Sequence, residues 1–200
     1  MAKYYYNGNV IVTPFSIVTN QPIFSADTVS LKHIRSQQIA QRWELQFNVI
    51  TNDNVATTLL GVLDEMNLKG QMQMPQLPEV DAASTGSGTA AVTGTAIPVS
   101  SSSVLLDSTA ASGVLPAGSF VKFSNHDKVY ILKSNLDMDG VSASAEVYPK
   151  TVLELSIGTT LQFGQDCLFK YYRDINGMNG IRFLDGVLAD PGTVNLIEAL

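Results

Sequence analysis

Reactive and charged side chains are scarce in this chain: its 200 residues include one cysteine and two histidines, and charged residues make up 15%. A lone cysteine, Cys167, excludes an internal disulfide. Its setting between Asp166 and the apolar pair Leu168 and Phe169 is that of a small buried hydrophobe, because a reactive thiolate needs a neighbouring base or cation. The 12 Lys and Arg residues never stand side by side, and the formal net charge is −6. That removes the basic footprint on which nucleic-acid recognition depends. Near the start, Asn7, Gly8 and Asn9 interrupt MAKYYYNGNVIV before a signal-peptide core of about 7 to 15 apolar residues develops. No apolar run reaches the roughly 20 residues of a membrane-spanning helix, and no Asn-x-Ser/Thr sequon occurs. These absences lead to the expectation of a soluble chain made in a reducing cytoplasm, with no membrane insertion.

Catalytic constellations are equally sparse. His33 and His126 lie in separate regions and neither belongs to an HExxH pair. His33 sits in a strand pattern, and His126 in a polar loop where exposure at a turn is the expected state. Asp137, Asp139 and Gly140 in DMDG open like a calcium loop, but the later acidic positions of such a loop are missing, so a hairpin turn is the better reading. Asp64 with Glu65, and Asp185 with Asp190, are the candidate carboxylate pairs, and acidic residues on helix faces and turns are ordinarily solvated. The stretch TGSGTAAVTGTA (Thr85 to Ala96) has no following lysine and no amphipathic helix, which a phosphate loop requires. No GxSxG elbow is present. No catalytic residue, cofactor-binding residue or metal ligand is assigned, no cofactor is expected, and the chain is expected not to be an enzyme.

What is plentiful is apolar and neutral polar: hydrophobic residues make up 45% of the chain, and a chain of this length buries roughly 70% of its unfolded surface. Strand-like runs occur at Asn9 to Thr13, Thr28 to Ile34 and Arg42 to Ile50. In the last, Trp43, Leu45, Phe47 and Val49 alternate with Glu44, Gln46 and Asn48, the pattern of a half-buried strand in which Trp43 is a core anchor. Thr51 to Asn54 offer N-caps for one helix, in which Val55, Leu59, Leu60, Val62, Leu63 and Met66 recur at helical spacing. A short strand is expected around Gln71 to Met74, where Met66, Met72 and Met74 are adaptable packing groups. From Pro75 to Thr95 the composition turns to Pro and then Ala, Ser, Thr and Gly, the signature of a connection between folded units.

Beyond it, strands are expected at Ala96 to Ser100, Val104 to Leu106, Phe120 to Phe123, Lys128 to Leu132 and Val141 to Val147. They continue with the alternating Leu153, Leu155 and Ile157, then Leu161 to Phe163, Cys167 to Tyr172, Ile181 to Leu184 and Thr193 to Ala199. Turns are marked at Asn176-Gly177, Asn179-Gly180 and Asp190-Pro191-Gly192. Short strands with turns at this spacing argue a small barrel or sandwich. The segment from Leu115 to Leu132, LPAGSFVKFSNHDKVYIL, reads as one hairpin: Pro116, Ala117 and Gly118 turn, Phe120 to Phe123 go out, Ser124 to Asp127 loop, and the chain returns with Val129 and Ile131 on one face and Tyr130 and Leu132 on the other.

That hairpin resembles the distal tail protein family of tailed bacteriophages, in which a Leu-x-Ala-Gly turn leads to a strand, a polar loop and a Lys-Val-Tyr strand. The likeness continues in order. RWELQFNVI and the helix after it resemble the family's Trp-bearing strand and helix; VSSSSVLLD resembles the start of its second module; AEVYPKTVL resembles a strand ending in Tyr-Pro; GTVNLIEAL resembles the closing strand with its terminal Glu-x-Leu. MAKYYYNGNVIV has no counterpart. The resemblance implies a mainly β protein: an N-terminal β-sandwich with one helix, residues 1–84 completed by 176–200, and an inserted barrel of the oligonucleotide/oligosaccharide-binding (OB) type over 85–175. It also implies a virion protein whose sandwich self-associates into a six-membered ring at the tail tip, partnered by the tail tube protein and by tail hub and baseplate proteins. The alternative is a carbohydrate- or receptor-binding β module, with weak carbohydrate contact through Tyr171 and Tyr172, adjacent residues that point to opposite faces of a strand.

Overall fold

A computed structural model of the chain describes residues 5–6, 9–27, 33–37, 40–50, 69–174, 182–184, 188–190 and 193–200. The fold is mainly β, built on a six-stranded sheet and a closed barrel. The sheet runs in the order β1 (Tyr5–Tyr6), β2 (Asn9–Asn20), β5 (Arg42–Ile50), β18 (Thr193–Glu198), β15 (Leu168–Arg173), β6 (Lys69–Gln73), every pair antiparallel. The barrel runs β10 (Phe120–Phe123), β11 (Val129–Leu132), β13 (Ser142–Tyr148), β8 (Ser103–Ser112), β7 (Ser87–Val92), β14 (Thr160–Phe163), and β14 returns to β10. Closure leaves the barrel without an unpaired strand edge. Three two-stranded ribbons complete the set: β3 (Ile23–Asp27) with β4 (His33–Gln37), β9 (Val114–Leu115) with β12 (Leu136–Asp137), and β16 (Arg182–Leu184) with β17 (Leu188–Asp190). A six-residue helix, α1 (Pro78–Ala83), leads into the barrel with Pro78 at its start, where a missing N–H costs nothing. The helix predicted from Val55 to Met66 lies outside the described residues, as do Asp64, Glu65, Asp185 and the two Asn-Gly turns.

Alternation explains most of these strands. On β8, Val104, Leu106 and Ser108 point inward between exposed neighbours, and on β13 Ala143, Ala145 and Val147 do the same. Two sequence readings fail here for physical reasons. The glycine-bearing stretch expected to be a connection contains β7, whose Ala90 and Val92 are buried in the barrel. A β-bulge between Thr89 and Ala91 brings its backbone against β8, and a Cβ on Gly88 (φ +85°) would sit 2.2 Å from the Ala110 carbonyl oxygen. Small residues are what that approach demands, so the strand is apolar too weakly to be seen by hydropathy. Conversely, the strands expected at Ala96 to Ser100 and Leu153 to Ile157 reduce to one bridge, Ile97 to Leu155. Left-handed backbone at Ser100 (φ 68°) and Gly158 (φ 84°) turns the chain away from extended pairing, which leaves Val99, Leu153 and Ile157 exposed.

Apart from Lys122, the strands β10 and β11 are apolar because neither face of the hairpin meets water. Val121, Phe123, Tyr130 and Leu132 point into the barrel, while Phe120, Val129 and Ile131 point out into the core of the six-stranded sheet, among Trp43, Leu45, Phe47, Met72, Phe169 and Leu196. The hairpin is one wall shared by two cores, the situation in which a strand loses its polar face. β15, which the resemblance places with the inserted segment 85–175, hydrogen-bonds to β6 and β18 and belongs to the sheet, with Phe169 and Tyr171 buried in its core.

Leu196, fully buried between β5 and β15, tests the sheet core. Leu196→Ala is expected to lower unfolding free energy by about 2–5 kcal/mol, and Leu196→Lys by more because it buries an unpaired charge. Denaturant titration measures both, and unchanged midpoints would contradict the position of β18.

Candidate functional site at the sheet and barrel junction

Where the shared wall meets the sheet, aromatic and charged groups interlock. Trp43 on β5 stands edge-on to Phe120 at 5.6 Å between ring centroids and to Tyr148 at 6.1 Å. Its indole N–H donates to the Val129 carbonyl at 2.8 Å, so a sheet residue is hydrogen-bonded to a barrel strand. At the margin the Tyr148 hydroxyl donates to Gln21 Oε1 at 3.3 Å and lies 3.3 Å from Thr19 Oγ1.

Beneath the indole lies an ion pair whose two side chains are both 0% exposed, Lys128 immediately before β11 and Glu198 from the end of β18. The Lys128 ammonium donates to Glu198 Oε2 and to the Gln41 carbonyl at 2.8 Å, and lies 5.9 Å from the centre of the Trp43 ring. The carboxylate also accepts the backbone N–H of Trp43 at 2.9 Å and of Val129 at 2.8 Å. Burial pushes the Lys128 ammonium down and the Glu198 carboxyl up from their ordinary values, and their mutual attraction and hydrogen bonds oppose both shifts. This carboxylate is bonded to three donors and the ammonium to two acceptors, so the pair acts as a fastener between sheet and barrel. A charge pair this buried contributes little beyond an apolar replacement of the same shape, yet removing one partner leaves the other uncompensated.

Beside it runs a second polar cluster. Asp127 accepts Lys122 Nζ from β10 and Lys170 Nζ from β15, each at 2.8 Å, a further bridge between barrel and sheet. Partial burial works to raise the Asp127 carboxyl, and the two lysines outweigh it and hold the group below its ordinary value. Adjacent to it, His126 is packed rather than exposed at a turn: its ring stacks on Phe123 at 6.2 Å and meets Tyr130 edge-on at 5.6 Å. Its Nδ1 lies 2.6 Å from Asn125 Oδ1 and its Nε2 2.7 Å from the Tyr130 hydroxyl. Asn125 Nδ2 donates to the Glu154 carbonyl at 2.9 Å, and the Val152 N–H donates to the Tyr130 oxygen at 3.2 Å.

The remaining sequence candidates are scattered. Cys167 is fully buried and its thiol is pushed up to about 12 by burial, which suits packing and excludes a ready thiolate. Asp137 and Asp139 hydrogen-bond to each other, which raises the Asp137 carboxyl. No group of three or more His, Cys, Asp or Glu suited to a metal occurs among the described residues. Tyr171, expected exposed beside Tyr172, is buried and stacks on Phe169 at 6.3 Å, its hydroxyl filling the space where a Cβ on Gly70 would stand, 2.4 Å away. Tyr172 alone of the two is exposed. His33 lies on β4 and Asp190 ends β17, with both side chains outside the described residues. Sequence reasoning missed Lys128 and Glu198, although each is a charge set in an otherwise apolar run, KVYIL and LIEAL.

Compared with known proteins, the chain matches no family model and no curated protein.

Two outcomes are expected. Lys128→Met or Glu198→Leu alone should each cost about 3–5 kcal/mol, and the double variant should recover most of that loss; equal and additive losses in a denaturant double-mutant cycle would contradict the pairing. Cys167 should react with a thiol reagent only at the rate of global unfolding, and labelling of the folded protein within minutes would place it elsewhere.

Proposed function

We propose that the protein is a structural virion component, a subunit of a ring at the distal end of a phage tail that joins the tail tube to the host-recognition and baseplate apparatus. One observation carries this reading. Two of the segments that resemble distal tail proteins, LPAGSFVKFSNHDKVYIL and GTVNLIEAL, lie about seventy residues apart in sequence, yet they meet through Lys128 and Glu198, and another, RWELQFNVI, joins them through Trp43. Resemblances that converge on one buried junction support a common architecture better than scattered short strands do.

The chemistry of the junction supports a mechanical role. Its charges are paired with each other, Trp43 and Phe120 are buried, and the Cys167 thiol is fully buried; these suit a structural part, and the protein is proposed to act by shape and not by turnover. In such a ring each subunit presents two different surfaces to its two neighbours. A surface with few charges lowers the desolvation cost of that packing. Among the described residues no helix is long and apolar enough to cross a membrane. Of the carbohydrate-reading alternative, the burial of Tyr171 leaves Tyr172 as the stacking surface.

Mass measurement across concentration and electron microscopy of the purified protein test the proposal: multimers that resolve as closed rings are expected. A chain that stays monomeric at every concentration and also within purified tails would contradict it.

A further inference from the structure

The loop that joins β10 to β11 is anchored at Ser124 to Thr160 and reaches the segment Val152 to Glu154 by two routes, Asn125 directly and His126 through the Tyr130 hydroxyl, and we propose that His126 is an acid-sensitive latch, releasing Asn125 to Asp127 from that segment when its ring takes up a proton. The proposal rests on this network alone and is independent of the virion reading.

The hydrogen bonds leave each atom one role. Asn125 Nδ2 donates to the Glu154 carbonyl, which turns its Oδ1 toward the ring, so Nδ1 of His126 carries the proton and donates. Nε2 then accepts from the Tyr130 hydroxyl, whose oxygen accepts the Val152 N–H. The neutral imidazole is thus a donor on one side and an acceptor on the other, which a second proton abolishes. An imidazolium turns Nε2 into a donor, and the Tyr130 hydrogen must then find another acceptor. Tyr130 is 0% exposed and sits in the barrel core among Phe123, Val121 and Leu132, where apolar side chains offer none. An orphaned buried hydroxyl is costly, so loop and segment separate.

Of the charged groups around the ring, the cations act in the same direction. Lys122 from β10 and Lys128 immediately before β11 both disfavour a further cation. Asp127 in the loop favours one, but its two carboxylate oxygens are engaged by Lys122 and by Lys170 from β15. Glu198 from β18 is occupied by Lys128, and Glu154 contributes its backbone carbonyl. Burial first, and then the lysines, lower the ring from its ordinary 6.5 to about 4 in the closed state. A depressed value means that closure is fully favoured above about 6.5 and is lost as pH falls toward about 4. Across that window the open fraction rises by up to about tenfold per pH unit, roughly a hundredfold or more in total. Asp127, held below its ordinary value of 3.8, titrates beneath this window. Glu198, whose value is raised, has the opposite sign and does not imitate the loss.

Residue-resolved amide exchange of the full chain at pH 7 and pH 4 tests the latch. Protection of the Val152 amide is read against that of Val147, which donates to the Ser102 carbonyl at 2.9 Å in the barrel wall. In the unaltered protein the ratio is expected to fall by about a hundredfold on acidification. In His126→Gln, which keeps a donor and an acceptor but does not titrate, it should stay constant. Tyr130→Phe should lose Val152 protection already at pH 7. A constant ratio in the unaltered protein, the same fall in His126→Gln, or full Val152 protection in Tyr130→Phe would each overturn the proposal. If His126→Gln does not fold, the ring's own titration followed by NMR decides: a midpoint near 4 in step with Val152 supports the latch, and one near 6.5 overturns it.

Discussion

Everything in this structure leans on a hairpin that has no wet face. β10 and β11 give their inner residues to the barrel and their outer residues to the sheet, so any polar group on the hairpin has to be satisfied inside the protein. Lys128 is the demanding case: Glu198 and the Gln41 carbonyl accept from it, and the Trp43 backbone N–H in turn donates to Glu198. An ammonium and a carboxylate at zero exposure are tolerated only when they are paired and further hydrogen-bonded. That requirement fixes where the end of β18 lies against the start of β11. The ion pair therefore sets registry between two units more than it adds stability, as the apolar contacts of Phe120, Val129 and Trp43 supply the bulk of the attraction.

The legible parts of the fold were those in which residue pattern and burial obey the same rule. RWELQFNVI alternates because one side of β5 faces the core and the other does not, and Trp43, Leu45 and Phe47 are buried as that alternation requires. Hairpin geometry was visible at Gly118, but not the reason that every strand residue except Lys122 is apolar, since burial of both faces is set by the two cores and not by local spacing. β7 was invisible because close backbone approach at Gly88 selects small residues, and small residues imitate a linker. Adjacency shows only that Tyr171 and Tyr172 point to opposite faces of a strand; the pairing of β15 with β6 and β18 decides that Tyr171 is the one turned inward over Gly70. At the junction, each charged residue was legible as an anomaly in an apolar run. Its partner was not, because pairing across distant strands depends on topology and leaves no mark in local spacing.

A protein organised in this way has its polar chemistry facing inward. Lys128 and Glu198 face each other, His126 faces Tyr130, and Asp127 is held between two lysines. What faces outward along the described strands is mostly neutral: hydroxyl pairs such as Ser103 with Ser144 and Ser87 with Ser112 decorate the barrel, each at 3.0 Å. Rigid interior and low-charge exterior are complementary features of a part that is fitted against other parts, and they underlie the proposed place in a tail-tip ring.

The claim that matters most is that sheet and barrel are one cooperative body because they share a wall. Scanning calorimetry measures this directly. One transition, with calorimetric and van't Hoff enthalpies equal, is expected for the intact protein, and a Glu198→Leu change should split it in two. Two independent transitions in the intact protein would contradict the account.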